Sequence, residues 1–149
     1  MKKYILAAVV LLISISSYGQ ILDPVKWTTS VKKISATEYD LVATATIDAG
    51  WHLYSQNVPE GGPIATAFIF EKGNNYSVSG KTLEEKGHTV DDTMFKMKIT
   101  YFEGKAKFTQ RVKLAKPGKT TVVAEVEFMV CDDSRCLPPT YVDLDFTIQ

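Results

Sequence analysis

Cysteine and histidine are scarce in this sequence, with two of each in 149 residues. A disulfide-dense scaffold is thereby excluded, because small stapled domains carry several bridges. Two cysteines without companion ligands nearby also fall short of a usual four-ligand zinc site, and no metal or other cofactor is expected. An excess of one charge is missing too, since 17 basic residues stand against 17 acidic ones. Nothing resembles the concentrated positive charge that draws nucleic acid, so no such partner is expected. Beyond residue 15 no segment approaches the roughly 20 apolar residues that span a bilayer. Gly-rich phosphate cradles, serine-nucleophile motifs and informative paired-carboxylate motifs are lacking as well, which leaves hydrolysis without support.

The first residues stand apart from the rest. Lys2 and Lys3 precede an uncharged apolar run, residues 4–15, and Ser16, Ser17, Tyr18 and Gly19 follow. This is the layout of a secretory signal peptide over residues 1–19, with processing expected between Gly19 and Gln20. The domain expected to remain, residues 20–149, has 15 basic and 17 acidic residues, a net charge of −2. A chain of this length buries an adequate single core without staples.

Within that domain the dominant signal is alternation with a period of two, the mark of half-buried strands. Tyr39, Leu41, Ala43, Ala45 and Ile47 share one face, as do Ala106, Phe108, Gln110, Val112 and Leu114. The same holds for Val122, Ala124, Val126, Phe128 and Val130, and for Val142, Leu144, Phe146 and Ile148. Shorter candidate strands cover residues 25–34, 67–70, 76–78 and 94–102. Turn-forming clusters fall at residues 48–50, 59–63, 72–75, 102–105 and 116–119. No stretch carries the caps and sustained period of a long helix. The pattern predicts an all-β domain, an immunoglobulin-like antiparallel β-sandwich, with a small barrel as the alternative.

Residues 128–139 carry the most chemistry. A strong strand enters, four polar residues separate Cys131 from Cys136, and Pro138 and Pro139 follow. A turn between antiparallel strands would bring the two sulfurs within bridging distance. Continued alternation would present Cys131 outward, opposite Phe128 and Val130. Closing so short a loop removes only about 2 kcal/mol of unfolded-state entropy. Three readings stay open on these residues: a redox pair working by thiol–disulfide exchange, a passive bridge in an exported protein, and a metal site. Arg135 would stabilise a thiolate at Cys136, whereas Asp132 and Asp133 would oppose one at Cys131.

These residues resemble the N-terminal periplasmic domain of the thiol–disulfide interchange protein DsbD. The likeness runs from about Asp23 to Ile148. Its most specific piece is Cys131 to Pro139, read CDDSRCLPP; a second is the stretch from Gly50 to Gln56, GWHLYSQ, and a third is Asp91-Asp92-Thr93-Met94-Phe95. The resemblance implies an immunoglobulin-like domain that accepts electrons from a thioredoxin-like partner and passes them to exported disulfide isomerases and related thiol proteins, with a membrane electron carrier as a further partner. It implies that Cys136 forms the mixed disulfide and Cys131 resolves it. It makes Phe95, with Met94, a cap over the pair, sets Tyr54 in the framework of the site, and puts Asp91 and Asp92 in the acidic part of the cap region. This chain departs from the family in having four residues between the cysteines instead of five, and in having Lys96 where glycine or a small residue is expected. The family's membrane conduit and thioredoxin-like domain do not follow in these residues, so a separate reductant is expected. The expected compartment is the periplasm, with full secretion as the alternative.

Other residues read more plainly. Trp51 is expected to pack at a sheet edge, and His52 and His88 to lie at the surface or in hydrogen bonds rather than in catalysis. Asp91 and Asp92 read equally well as a solvated turn before the strand at Met94. Lysines 96, 98, 105, 107 and 113 read as a solvated sheet face. The competing functions are a secreted sandwich that binds protein or carbohydrate with a passive bridge, and an assembly or chaperone-like β module with an exposed edge strand. The oligomeric state is not legible in the sequence.

Overall fold

The computed structural model describes residues 22–149; the expected signal peptide lies outside the described residues. Eleven strands and no helix occur among them. They are β1 (Val25–Lys33), β2 (Glu38–Ile47), β3 (His52–Tyr54), β4 (Ala67–Phe70), β5 (Tyr76–Glu84), β6 (His88–Asp92), β7 (Met97–Phe102), β8 (Lys105–Leu114), β9 (Thr120–Phe128), β10 (Val130–Cys131) and β11 (Thr140–Ile148). Every pairing between them is antiparallel.

One sheet has the order β1-β2-β8-β5, a second β10-β3-β7-β6, and a third β11-β9-β4. The first packs against both of the others. Trp27 of β1 meets Phe68 of β4 and Phe128 of β9 at 5.9 and 5.5 Å between rings. Phe108 of β8 meets Phe102 of β7 at 5.6 Å. The result is an immunoglobulin-like sandwich whose core is built by the alternating faces read from the sequence. Tyr39, Leu41, Ala43, Ala45 and Ile47 are buried, as are Val122, Ala124, Val126 and Phe128. One polar residue shares the buried face of β8: Gln110 donates to the Ser79 carbonyl at 2.9 Å and accepts from the Thr82 hydroxyl at 2.8 Å. Those partners come from a bulge in β5 at Gly80, so the buried amide is satisfied by irregular backbone.

The short strands differ most from the expectation. The strand expected to begin at Met94 begins at Met97, and β6 precedes it as the other arm of a hairpin. The four-residue loop between them, residues 93–96, ends on Lys96 with φ +56°. That left-handed backbone is where glycine is ordinarily favoured. Lys96 therefore adopts the conformation for which a small residue was expected, without the small side chain.

Candidate functional site

The site lies where the chain changes sheets. After Phe128 the strand breaks at Met129, and Val130–Cys131 leaves β9's sheet to pair with Leu53 and His52 of β3. This break corrects the outward placement expected for Cys131. Alternation does not survive the change of sheet, so Val130 and Cys131 are both buried, each 2% exposed.

Cys131 and Cys136 are disulfide-bonded, with Cα atoms 4.0 Å apart. They face each other as an isolated antiparallel pair. Backbone hydrogen bonds flank them, from Asp132 N to Arg135 O and from Leu137 N to Val130 O, each 2.9 Å. A pair lying between ladder bonds is the position at which opposing side chains approach most closely. The four-residue loop is wound around one carboxylate. Asp132 Oδ1 accepts from the backbone N–H of Ser134 and of Arg135 at 2.9 and 2.8 Å, and from the Ser134 hydroxyl at 2.9 Å. The Ser134 contacts lead in holding the Asp132 carboxyl down to about 2. Arg135 Nε lies 3.2 Å from Asp132 Oδ2, and its guanidinium sits 5.8 Å from the Trp51 ring centre. In the disulfide form Arg135 is thus turned to its own loop and to Trp51.

Cys131 lies in a small second core with Tyr54 and Ile99, against which Phe95, Met97, Tyr101, Met129, Val58 and Cys136 pack. Cys136 is only half-buried. Its Sγ is 3.6 Å from Met94 Sδ; a disulfide sulfur carries no proton, so this is a sulfur–sulfur contact and not a hydrogen bond. Phe95, the next residue of the loop, has its ring edge-on to Tyr54 at 6.1 Å. Asp92 shapes that loop, its Oδ1 accepting from the backbone N–H groups of Met94 and Phe95 at 2.8 and 2.9 Å. Asp91 is exposed and bridges to Lys98 at 2.8 Å. Both aspartates end strand β6 and do not form a free turn.

Tyr54 is buried, and burial first, then the charge of Asp92 and the neighbouring Tyr101, push its phenol up to about 12. It lines a cleft of about 180 Å³ with His52, Tyr101, Met94, Asp91, Asp92, Asp132 and Asp133. His52 stacks on Tyr101 at 4.3 Å and its Nε2 lies 2.9 Å from Glu103 Oε1, while the exposed His88 is tilted against the same tyrosine at 6.2 Å. Among the described residues no group of three His, Cys, Asp or Glu side chains is placed to hold a metal ion.

Sequence reasoning missed one residue that organises this end of the fold. Glu84, at the end of β5, accepts from the Ser55 hydroxyl at 2.5 Å, the Gln56 N–H at 2.8 Å and the Asn57 amide at 2.9 Å. It ties the segment leaving Tyr54 to the opposite sheet. Nothing in its local sequence signals this, because all three partners are at least 27 residues away.

The sequence profile of the family described as Thiol:disulfide interchange protein DsbD, N-terminal, matches residues 20–147. The chain belongs to that family. As a DsbD N-terminal domain it carries its cysteine pair joined, the arrangement on which thiol–disulfide exchange depends. Its fold is similar to that of the reduced N-terminal domain of Neisseria meningitidis DsbD, with a TM-score of 0.55 at 16% identity over 87% of this chain and 92% of the other. It is also similar to the N-terminal periplasmic domain of ScsB from Proteus mirabilis, with a TM-score of 0.57 at 17% identity over 85% of this chain. That match takes in 49% of the ScsB chain, so this sequence spans about half of it. No curated protein matches the chain.

Proposed function

We propose that this DsbD N-terminal family domain is a periplasmic thiol–disulfide exchange module. Electrons arrive from a thioredoxin-like donor and leave to the disulfides of exported thiol proteins, among them disulfide isomerases. The observation that carries this reading is the unequal exposure of the two joined sulfurs. Cys131 is buried, whereas Cys136 is half-exposed and covered by Met94 of a hairpin loop. An incoming thiolate needs access to one sulfur along the S–S axis, and the other leaves as thiolate. Cys136 is the accessible centre, so the donor's sulfur bonds to it and Cys131 is released; a second donor thiol then frees Cys136. In the forward step the Cys136 thiolate attacks the recipient's disulfide, and Cys131 resolves the interprotein bond. Met94 and Phe95 together shield Cys136 between encounters.

The apolar run after Lys2 and Lys3, and the periplasmic setting of the ScsB domain, support the compartment. The test mixes the oxidised protein with a reduced thioredoxin-like protein, traps with acid and reads masses. Mixed instead with a recipient whose own cysteine pair is oxidised, the Cys136 thiolate of Cys131→Ser is expected to accumulate an interprotein disulfide, its resolving cysteine being absent, and Cys136→Ser to form none. If the wild-type pair resists that donor altogether, with a potential below about −300 mV, the bridge is passive and the exchange reading fails.

A further inference from the structure

All three methionines among the described residues lie at this end of the fold, Met97 and Met129 against the small core that holds Cys131 and Met94 against Cys136. Their sulfurs point differently. Met129 Sδ accepts the Ile64 N–H at 3.4 Å. Met97 Sδ faces the turn at Gly62, 3.2 Å from where a Cβ would stand there. Met94 alone turns its thioether onto the pair, 3.6 Å from Cys136 Sγ, while remaining 46% exposed. Nearby harder ligands are occupied: His52 Nε2 by Glu103, and Asp132 by its own loop. The cleft that opens beside Met94 is lined by Asp91, Asp92, Asp132 and Asp133, an entrance that attracts cations.

We propose that, once the disulfide is reduced, Cys131, Cys136 and Met94 form a three-sulfur site for Cu(I). Two thiolates and a thioether are a soft donor set, which selects Cu(I) over the oxygen-preferring magnesium and calcium. Zinc prefers four ligands, and among the described residues no His, Cys, Asp or Glu is placed as a third ligand beside the two cysteines. The chemistry balances simply. A dithiol reductant delivers two electrons and two protons to the S–S bond and becomes a disulfide itself. Cu(I) then displaces both thiol protons and keeps its oxidation state. The bound pair is withheld from exchange, so copper and a disulfide substrate compete for the same sulfurs. This goes beyond the proposed electron transfer and does not rest on its direction, since any dithiol or phosphine prepares the reduced pair.

The purified protein is reduced with a phosphine, desalted anaerobically and titrated with Cu(I) held by a chromogenic chelator. The expected result is withdrawal of one copper per chain by the reduced protein and none by the disulfide form. Bound copper should also protect both cysteines from iodoacetamide, as read by mass. Met94→Leu should weaken binding about tenfold or more, the effect of losing one ligand worth about 1.4 kcal/mol, while Ile69→Ala, an exposed change on β4, leaves it unchanged. Failure of the reduced protein to compete with the chelator, equal uptake by the oxidised form, or wild-type affinity in Met94→Leu would each overturn the assignment. Thioredoxin-dependent reduction, measured without copper, reports on the exchange reading independently.

Discussion

At the scale of single residues, the site is a contrast between Cys131 and its neighbours. A buried sulfur is bonded to a half-exposed one, and Met94 of the β6–β7 loop stands against the half-exposed one. Phe95→Ala removes a half-buried ring that packs edge-on to Tyr54. Reduction of the disulfide by a small thiol is expected to quicken several-fold, as followed by mass after quenching. The accompanying loss of stability should be about 1–2 kcal/mol, less than the cost of truncating a fully buried phenylalanine. Tyr54 supplies a second handle. Its phenol binds the proton more tightly in the folded state, where it is pushed up to about 12, than in the unfolded chain near 10. Its contribution is therefore whole below pH 10 and is lost as the pH climbs from there through about 12. Urea midpoints measured across that range should fall for the wild type, and fall less for Tyr54→Phe.

At the scale of elements, two devices hold the site together. One is the break at Met129, which lets a single chain segment serve two sheets and turns Cys131 inward against β3. The other is Glu84, which reaches from the end of β5 to three donors on the segment following β3. Hydrogen bonds to a charged acceptor are each worth about 1.5–3 kcal/mol. Because Glu84 is only half-buried, the lower end applies to the group as a whole. Glu84→Ala should lower the urea midpoint by the equivalent of about 1.5–2 kcal/mol with an unchanged slope, and Glu84→Gln should recover part of that loss. The β6–β7 loop is held differently. Asp92 caps its two central N–H groups, and Lys96 closes it in a left-handed conformation that strains any residue with a Cβ.

At the scale of the molecule, the bridge stands apart from the main core of the sandwich. The large core spans both layers and excludes the cysteine pair, which belongs to the smaller cluster at one end. The bridge closes a loop of six residues and constrains the unfolded chain by only about 2 kcal/mol. The double variant Cys131→Ala/Cys136→Ala should keep the far-ultraviolet circular dichroism of the wild type and lose about 2 kcal/mol in urea unfolding. A collapse of the fold on reduction would mean that the pair is a structural staple. Independence of this kind lets a domain cycle between oxidised and reduced forms without unfolding.

The long strands and the cysteine segment were legible from sequence because their signal is local. Alternation along β2, β8, β9 and β11 places side chains in or out by pleat geometry alone, whatever strand lies beside them. The likeness of residues 131–139 to the DsbD N-terminal domain is likewise carried by neighbouring residues. The short strands β3 and β6 are too brief to show a period, and their pairing with β7 comes from partners distant in the chain. Tertiary structure alone decided that Cys131 faces inward against β3, that Arg135 meets Trp51, and that Glu84 anchors the segment after β3. Each of these is a contact with a partner chosen by the packing of two sheets, and no local pattern of residues encodes which partner that will be.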